Sequence, residues 1–517
     1  MLTKTTTSEL ALPAQRQAGV CLHMTSLPGP FGIGEIGDAA LAFVDSMARM
    51  NLRVWQFLPT GPTAFGDSPY QPLSTFAGNE LLIDTATLVR AGLLASNEAD
   101  TLLGLPAHSV DYGRLIPKKK ALLDRAAGRF HAQADSGIKS AFDRFLESHD
   151  EAWLHDYALF RILKTRHGER PWPEWAPPLA HREQGALRKL EADCGRAIES
   201  IKIIQFLFHR QWQRLHAYAA ERGVLMFGDM PIYIALDSSD AWANRDIVCL
   251  DQDGRPSQVA GVPPDYFSED GQLWGNPLYD WKAHAADGYG WWIERLQHSA
   301  ALADLVRIDH FRGFEAYWSV PAGAGTARVG EWIPGPGAAI FDAMRAALGN
   351  LPIVAEDLGV ITPAVEALRD RYHIPGMKVL QFEVGTRGFD LGVVGENCVC
   401  YTGTHDNDTS VGWFLGSPDD NRSRDEIVRT QKALLDIGGG NPETPHEDLV
   451  RLAFSSRAKL AIAPLQDYLG LGSEARFNTP GTSGDNWRWR VLPDQLSPAR
   501  MDRVGELVDT AGRSMAL

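Results

Sequence analysis

The chain has 517 residues, of which 44% are hydrophobic and 22% charged, and its net charge is −15. This is the composition of a soluble globular protein. The negative balance, with no Lys/Arg stripe to offset it locally, argues against a nucleic-acid partner. No apolar run reaches the roughly eighteen residues a membrane span needs.

Residues 1–17 are Thr/Ser-rich, lack the apolar core of a signal peptide, and read as a disordered or extended tail. The run 19–26 reads as a first buried strand. Asp38 is placed to cap a helix ending near Met50, and 54–58 is a second strand, which together make one right-handed β–α–β unit. A mainly helical insertion is expected over 80–195, with 153–165 its clearest helix and Lys118–Lys120 on a solvated face. The helix 197–221, striped by Ile201, Ile204, Phe208 and Leu215, returns the chain to a third strand at 224–228. Residues 230–285 are dense in Asp, Gly, Pro and aromatics and form a substrate-loop subdomain. Strands at 305–309, 353–356, 377–382, 398–402 and 460–466 follow, then a final helix over 498–510. Eight strands with helix-length connections predict a (β/α)8 TIM barrel spanning 18–517. A doubly wound sheet is the alternative, but no GxGxxG follows any strand, so no cofactor signature supports it.

The five cysteines, Cys21, Cys194, Cys249, Cys398 and Cys400, are odd in number and show no CxxC spacing. They read as reduced thiols in a cytoplasmic protein.

Four strands end in acid, giving Asp229, Asp309, Glu356–Asp357 and Asp406, and a barrel brings all four ends to one mouth. Arg307 shares a strand face with Asp309 and would hold it ionised, either as a nucleophile or as half of a structural ion pair. Clustered carboxylates suit glycosyl transfer or a divalent metal. His405 and Asp406 are expected to point apart on an extended strand, and no HxH or HExxH is present, so no metal is expected. The loops nearby carry Tyr70, Tyr266, Phe267, Trp274, Tyr279, Trp487 and Trp489, and aromatic rings pack well on the C–H faces of sugars.

Six motifs carry a resemblance: Gly66-Asp-Ser-Pro-Tyr-Gln71, Gly228-Asp-Met-Pro-Ile-Tyr233, Arg307-Ile-Asp-His-Phe-Arg-Gly313, Ala355-Glu-Asp-Leu-Gly359, Tyr401-Thr-Gly-Thr-His-Asp-Asn-Asp-Thr409 and Asn478-Thr-Pro-Gly-Thr482. In order and over nearly the whole chain, the sequence resembles the amylomaltases, 4-α-glucanotransferases related to the α-amylase superfamily. The resemblance implies a barrel without a C-terminal β-sandwich and a retaining double displacement, with no cofactor. The substrates it implies are α-1,4-glucans and maltooligosaccharides, with glucose as an acceptor. Asp309 would be the nucleophile, Glu356 the acid/base, and Asp406 the carboxylate that grips the distorted sugar ring. Arg307, His405 and Asp229 would support that ring. Tyr70, Ser68, Trp274, Asn478, Tyr266 and Phe267 would contact glucan, and His310 would lie on the acceptor side. Opposite tuning is required, with Asp309 kept low by Arg307 and Glu356 kept high by burial and neighbouring negative charge. The family's mobile loop corresponds to Gly261-Val-Pro-Pro-Asp-Tyr-Phe-Ser268, a lid that would exclude water. Met24 and Glu80 stand where the family commonly has proline. The rivals are an α-glucan hydrolase with the same three acids and a non-catalytic glucan-binding barrel.

Overall fold

The computed structural model describes residues 11–264, 268–417, 420, 422–482 and 484–514. Eight short strands, Gln17–Cys21, Val54–Gln56, Leu225–Pro231, Leu305–Asp309, Ile353–Ala355, Gly376–Val379, Cys398–Tyr401 and Leu460–Pro464, pair in parallel in chain order. The last pairs with the first, Leu460 opposite Gln17. The remaining seam, between the fifth and sixth strands, is bridged by the Ala355 N–H donating to the Pro375 carbonyl at 2.8 Å. The TIM barrel is thus nearly closed, and no β-sandwich follows it among the described residues.

These strands are apolar on both faces because both are covered. Val54, Phe227, Leu305, Val354, Met377, Val399, Leu460 and Ile462 point inward and fill the barrel. Their neighbours Ala18, Val20, Trp55, Met226, Cys400 and Ala461 point out, against the helices. Leu12, from the expected tail, is buried in the inner cluster. No helix among the described residues is long and apolar enough to cross a membrane.

Several local expectations are corrected. The first strand stops at Cys21, and Met24–Ser26 is a 3-10 turn. The sixth ends at Val379 and passes directly into the short helix Leu380–Glu383. Asp38 lies inside the first turn of its helix behind Gly37 and caps nothing, although its charge there still suits the helix dipole. The helix Gln184–Glu221 has 38 residues and runs unbroken through position 195, so insertion and barrel share one rod.

Two further differences concern what a solvated-looking or irregular stretch can hide. Lys119 is not on a solvated face: its side chain is 1% exposed and ion-paired with buried Glu35. It also donates to the Ile83 carbonyl and to Thr85 Oγ1. Lysine repeats look alike in sequence, and only the helix phase, set by Leu115, Leu122 and Leu123 facing inward, selects which one is buried. The region after the third strand contains Gln258–Val262 and Gln272–Pro277, which join Ala316–Pro321 and Glu331–Pro334 in a four-stranded antiparallel sheet. Its strands are short, contain Gly261 and Gly275, and are offset by an irregularity between Val259 and Gly261, so no clean alternation marks them.

Candidate active site

Register assembles the acidic mouth. In the pairing of the third and fourth strands, Asp229 lies opposite Arg307 and Pro231 opposite Asp309. Arg307 and Asp309, two apart, share a face. The Arg307 guanidinium therefore sits between two carboxylates. Nη1 donates to both oxygens of Asp229 at 2.8 and 2.6 Å, and Nη2 donates to Asp309 Oδ1 at 2.9 Å. Burial opposes the charge on Arg307, but Asp229 and Asp309 more than offset it and hold the group charged.

Burial pushes the Asp309 carboxyl up from the ordinary aspartate range; Arg307 pulls against this, while Asp229 and Asp406 push further upward. The expectation that Arg307 would hold Asp309 low is thereby corrected. One cation is divided between two acids, and Asp229 takes the bidentate share. Asp309 still keeps a direct cation bond and a side chain that is 31% exposed.

Glu356 has a different cage. Its backbone N–H donates to the Ile308 carbonyl at 3.0 Å and its carbonyl accepts from Phe311 N–H at 3.1 Å, stitching it across the end of the fourth strand. Its carboxylate accepts only backbone bonds, from His310 N–H at 2.7 Å and Leu358 N–H at 2.9 Å. Burial raises it to about 7, with Arg307 opposing and Asp309 adding to the rise. His310 adopts a left-handed backbone, φ 54°, which is costly for a residue with a Cβ. That turn is what aims its N–H at Glu356. Its ring is buried, pulled down to about 3 by desolvation, and packed edge-on to Trp274 with centroids 4.7 Å apart.

Asp406 follows the seventh strand. His405 and Asp406 do not point apart: they occupy a turn, and His405 Nε2 lies 3.3 Å from Asp406 Oδ1. Asn478 Nδ2 donates to the same oxygen at 2.6 Å. The Tyr70 ring stacks on His405, with centroids 5.1 Å apart and planes at 13°, while its hydroxyl donates to Asp229 at 2.8 Å. Tyr70 thus joins the two halves of the mouth. Ser68 Oγ accepts from the Tyr70 N–H at 3.2 Å and shapes that loop. Among the described residues no three His, Cys, Asp or Glu side chains are grouped to hold a metal ion.

Of the expected glucan contacts, Tyr70 and Asn478 bond to these acids, Ser68 and Trp274 lie one contact away through Tyr70 and His310, and Tyr266 and Phe267 lie outside the described residues. Tyr279 is buried in an outer cluster, with its hydroxyl donating to the Ile232 carbonyl, and does not face the mouth. Two residues escaped the sequence reading. Arg476 donates to the Asp406 and Asn478 carbonyls, each at 2.8 Å. His23, pulled down to about 3 by burial and by His405, lies beneath the turn. The two-residue spacing from Arg476 to Asn478 was the available signal for the first.

The 4-alpha-glucanotransferase family model matches residues 22–495. The chain is 46% identical to a 4-alpha-glucanotransferase of Synechocystis over 505 residues, covering 96% of this chain and 98% of the relative. It is 44% identical to a 4-alpha-glucanotransferase of Thermus thermophilus, covering 96% and 99%. The amylomaltase of Streptococcus agalactiae, solved in complex with acarbose, superimposes with a TM-score of 0.91 at 35% identity, covering 97% of this chain and all of that one.

Proposed function

The chain belongs to the 4-alpha-glucanotransferase family and is an enzyme of that activity; from this premise we propose a retaining double displacement on α-1,4-glucans. Asp309 attacks the anomeric carbon as Glu356 protonates the departing sugar oxygen, leaving a glycosyl-aspartate. The now ionised Glu356 takes the proton of an acceptor 4-hydroxyl, which attacks that carbon and releases Asp309. Asp406, with His405 and Asn478, grips the ring hydroxyls as the ring flattens. Donors are maltooligosaccharides or starch- and glycogen-type chains; acceptors are glucose or another glucan.

One observation carries this reading: burial pushes both carboxyls up, but the two acids have different partners. Asp309 is bonded to a cation, whereas Glu356 is caged by backbone N–H groups and raised to about 7. Such a pair divides into a nucleophile and a proton carrier. The aromatic surfaces of Tyr70 and Trp274 support a sugar groove.

The division into a barrel, a helical insertion over 80–195 and a substrate-loop subdomain over 230–285 belongs to the same reading. So does a cytoplasmic location, supported by five free cysteines.

Incubation with maltotriose tests the function. Glucose should accumulate together with a ladder of longer maltooligosaccharides. Reducing ends that grow with no longer products would mark a hydrolase. Mass spectrometry of quenched enzyme should find the glycosyl adduct on the peptide containing Asp309.

A further inference from the structure

Asp406 needs support that its own side chain does not reveal. Its carboxylate is 45% exposed, standing out in the mouth, and its side-chain neighbours His405 and Asn478 are themselves on loops. What fixes its backbone lies behind it. Arg476, half-buried just after the turn Ser473–Ala475, sends Nη2 to the Asp406 carbonyl and Nε to the Asn478 carbonyl. Those two residues then meet again in front, through Asn478 Nδ2 and Asp406 Oδ1. The loop after the seventh strand and the C-terminal loop are thus closed into one ring of hydrogen bonds. A neighbouring stitch, Ser473 Oγ donating to Asp408 Oδ2 at 2.7 Å, aligns the same two segments.

We propose that Arg476 is a positioning residue for the reaction, setting how far Asp406 reaches toward the sugar by clamping both carbonyls from behind. The inference rests on the reading that Asp406 grips the substrate. A guanidinium suits the task because its planar fork presents Nε and Nη donors along one edge at fixed spacing. A lysine ammonium keeps the charge but not the fork, so it satisfies one carbonyl and frees the other loop. Both Arg476 bonds go to backbone carbonyls, so its contribution is geometric.

The test is R476K, assayed by maltotriose disproportionation per folded molecule, alongside D406N and the double variant. R476K should lower kcat by about 10²-fold, the scale of a misplacement near 1 Å. KM should move only a few-fold, and the unfolding midpoint should stay close to that of the parent. On the D406N background the same substitution should cost almost nothing further, because the group it positions is already gone. A parental kcat for R476K, or losses that multiply in the double variant, would overturn the proposal. Should R476K fail to fold, R476Q answers the same question, since its amide still reaches one carbonyl. Full activity in D406N alone would instead sink the reading of Asp406, a separate result.

Discussion

Asp309 and Glu356 share a mouth but have different partners, and the difference predicts different behaviour. Asp309→Asn keeps the shape and the Arg307 neighbour but removes the charge proposed to attack. Turnover should fall by several orders of magnitude while maltooligosaccharide binding, measured calorimetrically, persists. Joint loss of binding and fold would favour a structural ion pair. As the proposed acid, Glu356 would begin each cycle protonated, so kcat/KM should fall as pH rises through about 7, the value burial gives it. The sign carries over to stability. A carboxyl raised in the folded state binds its proton more tightly there, so folding loses free energy as pH rises from the ordinary glutamate range to about 7. Glu356→Gln should therefore raise Tm at pH 8 but not at pH 4, by the equivalent of roughly 3 kcal/mol at most. The acids themselves were readable in the sequence because strand ends are marked by an abrupt change from β-branched to charged residues. Their tuning was not: that Arg307 divides itself between Asp229 and Asp309 depends on register between strands 78 residues apart, which no local pattern contains.

At the level of elements, all eight barrel strands could be found from the sequence, since a strand covered on both faces is a continuous apolar run. Their ends were less legible: Val379 yields to a helix where the apolar run continues through Phe382. The antiparallel sheet was invisible because two of its strands, Gln258–Val262 and Gln272–Pro277, are interrupted by glycine, and their partner Ala316–Pro321 comes only after the fourth barrel strand. Lys119 tests how the insertion is fixed to the barrel's first loop. Lys119→Met leaves Glu35 buried without a cation and should cost about 3–5 kcal/mol in urea unfolding. Adding Glu35→Leu should recover much of that, because the cost lies in the orphaned charge more than in the missing pair. Equal losses in the single and double variants would contradict this.

Across the whole molecule, the chain's two end regions are joined. Arg513, fully buried, donates to the carbonyls of Gln17, Phe454, Ser456 and Ala458. Arg16 reaches back to the Ala511 and Phe454 carbonyls. Removing a donor that several buried carbonyls share leaves each unsatisfied, so Arg513→Met should destabilise the fold by at least about 3 kcal/mol, read by thermal unfolding. The carboxylates are not in contact with this region, so kcat of the folded fraction should be unchanged.

That junction also has an orientation. Gln17 and Leu460 begin their strands, so Arg513 sits at the N-terminal rim of the barrel, and the acids occupy the opposite rim. The backbone at residues 16–17 and 513–514 therefore lies at the back of the enzyme. An enzyme grafted to a bead or fused to a carrier through residue 514 would hold its groove outward, open to a polymer too large to diffuse into the gap between protein and support.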